Sequence, residues 1–176
     1  MVSIREMEQN YTQLVEGCRR RDRRSMRALY DLTAPMAMGV CMRFASDRDA
    51  AQDLMQDGYI KVYEGLARLR EPEKLMAWVY QVMFNEGLNH CKRNRRPEYL
   101  DEVGEEPVVF QTDAFGMEEV VLALQQLPPR QRAVFNMLEV EDMDEKEVAV
   151  RMGTPVTNVR TLMSRAKNRL KELLTK

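Results

Sequence analysis

The chain has 176 residues, with 27 Lys and Arg against 28 Asp and Glu and a formal net charge of −1. That length allows one domain or two small ones, and 44% hydrophobic with 31% charged residues is ordinary for a soluble protein. No apolar run approaches a membrane span, and MVSIREMEQN lacks the apolar core of a signal peptide, so a cytoplasmic protein without membrane insertion is expected. Cys18, Cys41 and Cys91 are far apart without CxxC spacing and read as reduced thiols. The single His90 cannot anchor a His-based metal site, and no cofactor is expected.

Few Pro and Gly, with abundant Met, Leu, Ala, Glu and Arg, predict an all-α chain. Residues 10–20 give a short amphipathic helix with Tyr11, Leu14, Val15 and Cys18 on one face. Asp22 can cap a second helix through Met26, Leu29 and Tyr30. Pro35 is expected to interrupt it, or to start a new turn before Met36–Ala45. Asp47 or Asp49 opens a long helix to about Arg70, with Ala51, Leu54, Met55, Tyr59 and Val62 inward and Asp53, Gln56, Asp57 and Lys61 on its polar face. A break at Glu71–Pro72 precedes another long helix, from Glu73 to about Arg95.

Residues 97–117 change character. Glu98, Asp101, Glu102, Glu105, Glu106 and Asp113 occur there with no Lys or Arg, among Pro97, Gly104, Pro107 and Gly116. This reads as a flexible acidic linker between helical domains at 1–96 and 118–176. Helical spacing resumes over Glu118–Leu127, turns at Pro128–Pro129 and continues over Arg130–Glu139.

The last stretch reads as a helix-turn-helix. Asp144 and Glu147 have capping-box spacing, Val148, Ala149 and Met152 form an apolar stripe, and Gly153 suits the left-handed stop. Thr154 can cap the next helix with Pro155 at its first position. Val156, Val159, Leu162 or Met163, Ala166, Leu170 and Leu173 then recur at three- and four-residue steps. From Arg151 to Lys176 seven basic residues stand against one acid, Glu172, whereas Glu139–Glu147 is acidic. Such a unit places its second helix in the DNA major groove, where basic side chains meet phosphates.

Catalysis is not expected. Asp53 and Asp57, four apart on one helix, could form a carboxylate pair, but no HExxH, P-loop or GxSxG element accompanies them. The stretch Met83–Arg96, MFNEGLNHCKRNRR, is more telling. Asn85 and Asn89 share a helix face that runs on toward Lys92, Arg93 and Arg96. Amides read base edges while Lys and Arg hold phosphates. Trp78 lies seven residues before Asn85, and it either faces unstacked bases or belongs to the core.

These motifs resemble the bacterial RNA polymerase sigma factors of the extracytoplasmic-function group, minimal two-domain members of the sigma-70 family. Ala51-Gln-Asp-Leu-Met-Gln-Asp-Gly-Tyr-Ile-Lys-Val-Tyr63 is similar to the family's core-binding helix, and Trp78–Arg96 to its W(x)6N(x)3N…RR promoter-reading helix. Leu127-Pro-Pro-Arg-Gln-Arg132, Glu147-Val-Ala149 and Ser164-Arg-Ala-Lys-Asn-Arg-Leu170 resemble the run of the C-terminal domain. The resemblance implies that Asp53, Gln56 and Asp57 dock on core RNA polymerase. It implies that Trp78, Asn85, Asn89, Lys92 and Arg93 meet the −10 element, with a base captured by the loop near Leu69–Lys74. It further implies that Asn158, Arg160, Ser164, Arg165 and Lys167 meet the −35 element of promoter DNA, and it admits an anti-sigma factor as a further partner.

Three positions depart from the pattern: Gln52 replaces the usual Glu, and Asn158 and Leu162 replace a Thr and an Arg of the recognition helix. The −35 preference therefore cannot be carried over. The alternatives are a helix-turn-helix regulator that never joins polymerase, and an unrelated helical adaptor. Neither needs the Ala51–Tyr63 helix or the Asn85/Asn89 face.

Overall fold

The computed structural model describes residues 4–93 and 116–175, in which there are eight α-helices and no strand. The acidic stretch read as a linker lies outside these residues, apart from Gly116 and Met117. Packing divides the chain into two compact units, Met1–Cys41 with Asp49–Glu86, and Met42–Arg48 with Gly87–Lys176. No helix among the described residues is long and apolar enough to cross a membrane.

Helices α1 (Ile4–Arg19), α2 (Arg23–Phe44), α3 (Arg48–Gly65) and α4 (Leu75–Arg93) supply the first unit and part of the second. Asp22 starts α2 as expected: its carboxylate accepts from the Ser25 N–H at 2.8 Å and from the Ser25 hydroxyl at 2.7 Å. Helix α2 then runs unbroken for 22 residues through Pro35, contrary to the interruption expected there. Pro35 is exposed, so water can meet the carbonyl it leaves without a donor. Leu29 and Thr33 before it and Ala37, Val40 and Cys41 after it are buried, so one apolar stripe holds both halves in register.

Tyrosines join α2 to α3. The Tyr59 hydroxyl lies 2.7 Å from the Thr33 hydroxyl, and the Tyr63 hydroxyl donates to the Met26 carbonyl at 3.0 Å. The Tyr30 and Tyr59 rings stand 4.8 Å apart between centroids. Burial pushes the Tyr59 phenol up to about 12, so it stays a neutral donor. The three thiols are free and buried; burial raises Cys18 to about 11 and Cys41 and Cys91 to about 12.

The second unit gathers the ends of α2 and α4 with α5 (Met117–Gln125), α6 (Pro129–Phe135), α7 (Glu145–Met152) and α8 (Val156–Leu174). A π turn, Asn136–Val140, continues α6. Helix α8 packs on α5, α6 and α7 through Val159, Leu162, Ala166 and Leu170. At the corner between α5 and α6 the Arg132 guanidinium is buried. It donates to four carbonyls: Leu124 at 2.8 Å, Phe44 at 2.7 Å, Gln125 at 2.7 Å and Leu127 at 2.8 Å. Gln125 donates to the Met42 carbonyl at 3.3 Å and Asn136 to the Arg43 carbonyl at 2.8 Å. The last carbonyls of α2, which no intrahelical N–H can reach, are thus met by side chains of the same unit.

Two outcomes are expected from urea denaturation of the full chain. Arg132→Met should cost about 3–5 kcal/mol, because four buried carbonyls lose a charged donor at once. Pro35→Ala should stabilise by about 1–2 kcal/mol: it restores a helix donor, and part of the gain is offset by a looser unfolded chain.

Candidate nucleic-acid interface

Three exposed faces carry the residues singled out from the sequence. The first is on α3. Ala51, Leu54, Met55, Tyr59 and Val62 are buried, which turns Asp53, Gln56 and Asp57 outward, and all three are exposed. Ile60, 57% exposed, follows them one turn on. An apolar side chain in the open between acids and amides is a feature that reading the motif for charge alone passed over. Among the described residues no group of three or more His, Cys, Asp or Glu is placed to hold a metal ion.

The second face is on α4. Gln81, Asn85, Asn89 and Arg93 follow one another at four-residue steps and are all exposed, with Lys92 half-buried beside them. The Gln81 amide donates to the Asn85 carbonyl oxygen at 3.3 Å. Gln81 is a further polar member of this stripe, recoverable from the spacing of Asn85 and Asn89. Trp78 is half-buried rather than fully in the core: a methyl group built on Gly65 would come within 2.9 Å of its ring, so the indole lies against the end of α3.

Helices α3 and α4 meet closely. A methyl group on Gly58 would stand 2.4 Å from the Met83 sulfur, a separation that only glycine permits without repacking. One turn further along, the Lys61 ammonium pairs with the Glu86 carboxylate, whose side chain is only 4% exposed. Glu86 sits between Asn85 and Gly87 in the polar stretch, yet it points inward and ties the two helices together. A buried carboxylate without that partner would be costly.

Before α4, two 3₁₀ turns, Leu66–Arg68 and Pro72–Lys74, flank the loop expected to capture a base. Leu69 is buried, whereas Arg70, Glu71, Glu73 and Lys74 are exposed. Helix α1 packs against both turns, and Arg19 donates to the carbonyls of Leu66, at 3.1 Å, and of Leu69.

The third face is the helix-turn-helix, α7 and α8. Asp144 caps α7 by accepting from the Glu147 N–H at 2.8 Å. The reciprocal half of the capping box does not form, because the Glu147 carboxylate pairs with Arg151 at 2.9 Å. Gly153 ends α7 at φ 61°, with Thr154 N–H bonded to the Ala149 carbonyl at 3.0 Å. Helix α8 begins one residue later than the capping pattern suggested: Pro155 is the cap, at φ −61° and ψ 151°. The Thr154 hydroxyl accepts from the Asn158 amide at 2.6 Å instead.

On the outer side of α8, Thr157, Arg160 and Thr161 are exposed. The two threonines were missed by a search for basic residues, although they lie opposite Val159, Leu162 and Met163 on the helical repeat. Arg160 pairs with Glu145 of α7 at 2.7 Å, and that carboxylate pushes the guanidinium pKa up. Lys167 pairs with Glu139 at 2.8 Å. Asn158, Ser164, Arg165 and Lys167 are half-buried, and the Ser164 hydroxyl is shut from solvent without a partner among the described residues. Of the five α8 residues singled out from the sequence, Arg160 is therefore the one that stands fully in the open.

Residues 29–97 match the family described as Sigma-70 region 2, and residues 117–170 match Sigma-70, region 4. The RNA polymerase sigma-H factor of Pseudomonas aeruginosa is 29% identical, with 92% of each chain covered. The ECF RNA polymerase sigma factor RpoE of Cereibacter sphaeroides is 24% identical over 86% of this chain and 87% of its own. A solved structure of the sigma factor RpoE from Bartonella quintana with the anti-sigma factor NepR superimposes with a TM-score of 0.49 at 22% identity, covering 83% of this chain and 94% of that one. With both regions matched in order and relatives covered over most of their length, the chain belongs to the sigma-70 family and is an RNA polymerase sigma factor of the extracytoplasmic-function type.

Proposed function

We propose that the chain docks on core RNA polymerase through the exposed face of α3 and reads two promoter elements, −10 with α4 and −35 with α8. It acts by binding and melting, without catalysis of its own. The observation that carries this reading is the pair α3 and α4. Two exposed polar faces, Asp53/Gln56/Asp57 and Gln81/Asn85/Asn89/Arg93, are carried by helices locked together through Gly58–Met83 and Lys61–Glu86. A regulator that only binds duplex DNA needs neither face.

The division of labour follows from chemistry. Acids and amides around an apolar Ile60 suit a basic protein surface, since an exposed apolar residue in a polar rim is a typical interface anchor. Amides backed by Lys92 and Arg93 suit bases with an adjoining phosphate chain. The loop at Leu69–Lys74, tied to α1 by Arg19, is the segment next to which a displaced base would be held. The −35 contact falls to Arg160 with Thr157 and Thr161. Each contact alone can be weak, because core polymerase holding both regions raises the effective concentration of the second. The family resemblance extends the same reading to an anti-sigma partner and to a cytoplasmic site of action.

Run-off transcription with purified core enzyme tests the whole reading. Specific initiation is expected from a promoter mapped through the chain's own transcripts, and duplex binding with no polymerase association would replace this reading by that of a simple regulator. Asp53→Ala with Gln56→Ala should weaken binding to core polymerase while leaving duplex binding by α7–α8 unchanged. Arg160→Ala should lower the salt slope of −35 duplex binding by about 1, as removal of one phosphate contact does. Glu145→Gln should strengthen that binding, because the carboxylate competing for Arg160 is gone; fluorescence anisotropy across a salt series measures both.

A further inference from the structure

Five arginines fill six positions where α1 meets α2: Arg19, Arg20, Arg21, Arg23 and Arg24, broken only by Asp22. Apart from Arg19, the function proposed above does not use them. Arg19 is engaged on the Leu66 and Leu69 carbonyls, which fastens the last turn of α1 to the segment leading into α4. Arg27, further along, pairs with Asp31 at 2.9 Å. Arg20, Arg21, Arg23 and Arg24 are exposed and form no ion pair among the described residues. The Asp22 carboxylate caps α2 through Ser25, and the nearby Arg24 charge helps hold its pKa down without a direct ion pair.

Arg21 carries a second, independent mark. It adopts φ 58°, the left-handed region, and ends α1 with its own N–H on the Cys18 carbonyl at 2.9 Å and the next N–H on the Gly17 carbonyl at 3.0 Å. Those bonds make the helix stop that glycine occupies without strain and other residues adopt at a cost. Here a long cation occupies it. Crowding like charges on one turn adds self-repulsion. The repulsion falls on this short segment and is offset when closely spaced anions bind.

We infer that Arg20, Arg21, Arg23 and Arg24 form a further nucleic-acid contact, gripping the phosphates of promoter DNA alongside the strand read by α4. The inference rests on the promoter-opening reading above. Adjacency supports it: α1 packs against the turns at Leu66–Arg68 and Pro72–Lys74, which bracket the proposed base-capturing loop. Chemistry favours phosphate over a protein partner. No large apolar side chain is exposed between residues 12 and 28, the nearest on α2 being Leu32, two turns beyond Arg24, so the arginines themselves surround no apolar anchor. Guanidinium groups fork onto phosphate oxygens, and such contacts position a strand without reading its sequence.

The test uses holoenzyme assembled from core polymerase and the full chain, on a duplex promoter mapped from its transcripts. Wild type is compared with Arg21→Gly, with Arg23→Gln/Arg24→Gln, and with all four arginines replaced. Each arginine lost from a phosphate should flatten the plot of log affinity against log salt by roughly 0.7–0.9. Preference for the promoter over a −10 mutant should stay constant. Arg21→Gly should melt at or above the wild-type temperature, which separates lost contact from lost fold. Unchanged salt slopes in all variants, with wild type forming its specific complex, overturn the arginine surface alone. Equal losses in binding to core polymerase without DNA would assign the patch to an acidic protein surface and overturn it too. A wild-type chain that forms no specific complex with core enzyme removes the parent reading and this inference together.

Discussion

The C-terminal unit depends on one buried cation whose hydrogen bonds go to backbone carbonyls, with the Asp47 carboxylate acting on it only through its charge. Arg132 is 3% exposed and spreads its charge over the carbonyls of Leu124, Gln125, Leu127 and Phe44. Leu124 and Gln125 end α5, Leu127 forms the corner and Phe44 ends α2, so the guanidinium sits where the negative ends of helix dipoles converge. Burial pulls its pKa down, but donors satisfied on every side make the buried charge tolerable. The planar fork explains why arginine occupies this site: a lysine ammonium could not reach four carbonyls in one plane. With the α5–α6 corner held, α6 presents Ala133, Val134 and Met137 as the floor on which α8 packs. Asn136 and Gln125 extend the same device, each capping one more carbonyl at the end of α2.

In the first unit the corresponding constraint is close approach. Gly58 brings α3 against Met83 of α4, and Lys61 reaches Glu86 beside it. The exposed face of α3 and the Gln81/Asn85 part of the α4 face, on which the proposed function rests, are thus carried by closely packed helices of the same unit. The segment before α4 is held by a different contact, the Arg19 fork on the Leu66 and Leu69 carbonyls. In both units, then, backbone carbonyls at helix ends and turns are used as docking points for arginine.

The segregated charge of the C-terminal stretch has an internal answer. The acidic run Glu139–Glu147 supplies Glu145 to Arg160, Glu147 to Arg151 and Glu139 to Lys167. These are exposed or half-exposed pairs that screen readily and contribute little to stability. Their effect is on availability: phosphates must displace carboxylates to engage Arg160.

Helix periodicity, caps and composition determined the all-α class, the order of helices and the helix-turn-helix, because these depend on residues within one or two turns of each other. Asp22, Asp144 and Gly153 act locally, and they act as their neighbours in the chain predict. The faces of α3 and α4 were legible for the same reason: the buried positions of an amphipathic helix name the exposed ones. Pro35 shows the limit, since a local rule for ending helices yielded to an apolar stripe on both sides of it. The sequence could not tell that Glu86 turns inward to Lys61, that Arg132 replaces a salt bridge with four carbonyls, or that Arg160 is in the open while Ser164 is covered. Those depend on partners far away in the chain. Only the tertiary structure decides which charge meets another charge, which meets a dipole, and which is left on the surface of the helix-turn-helix for an anion.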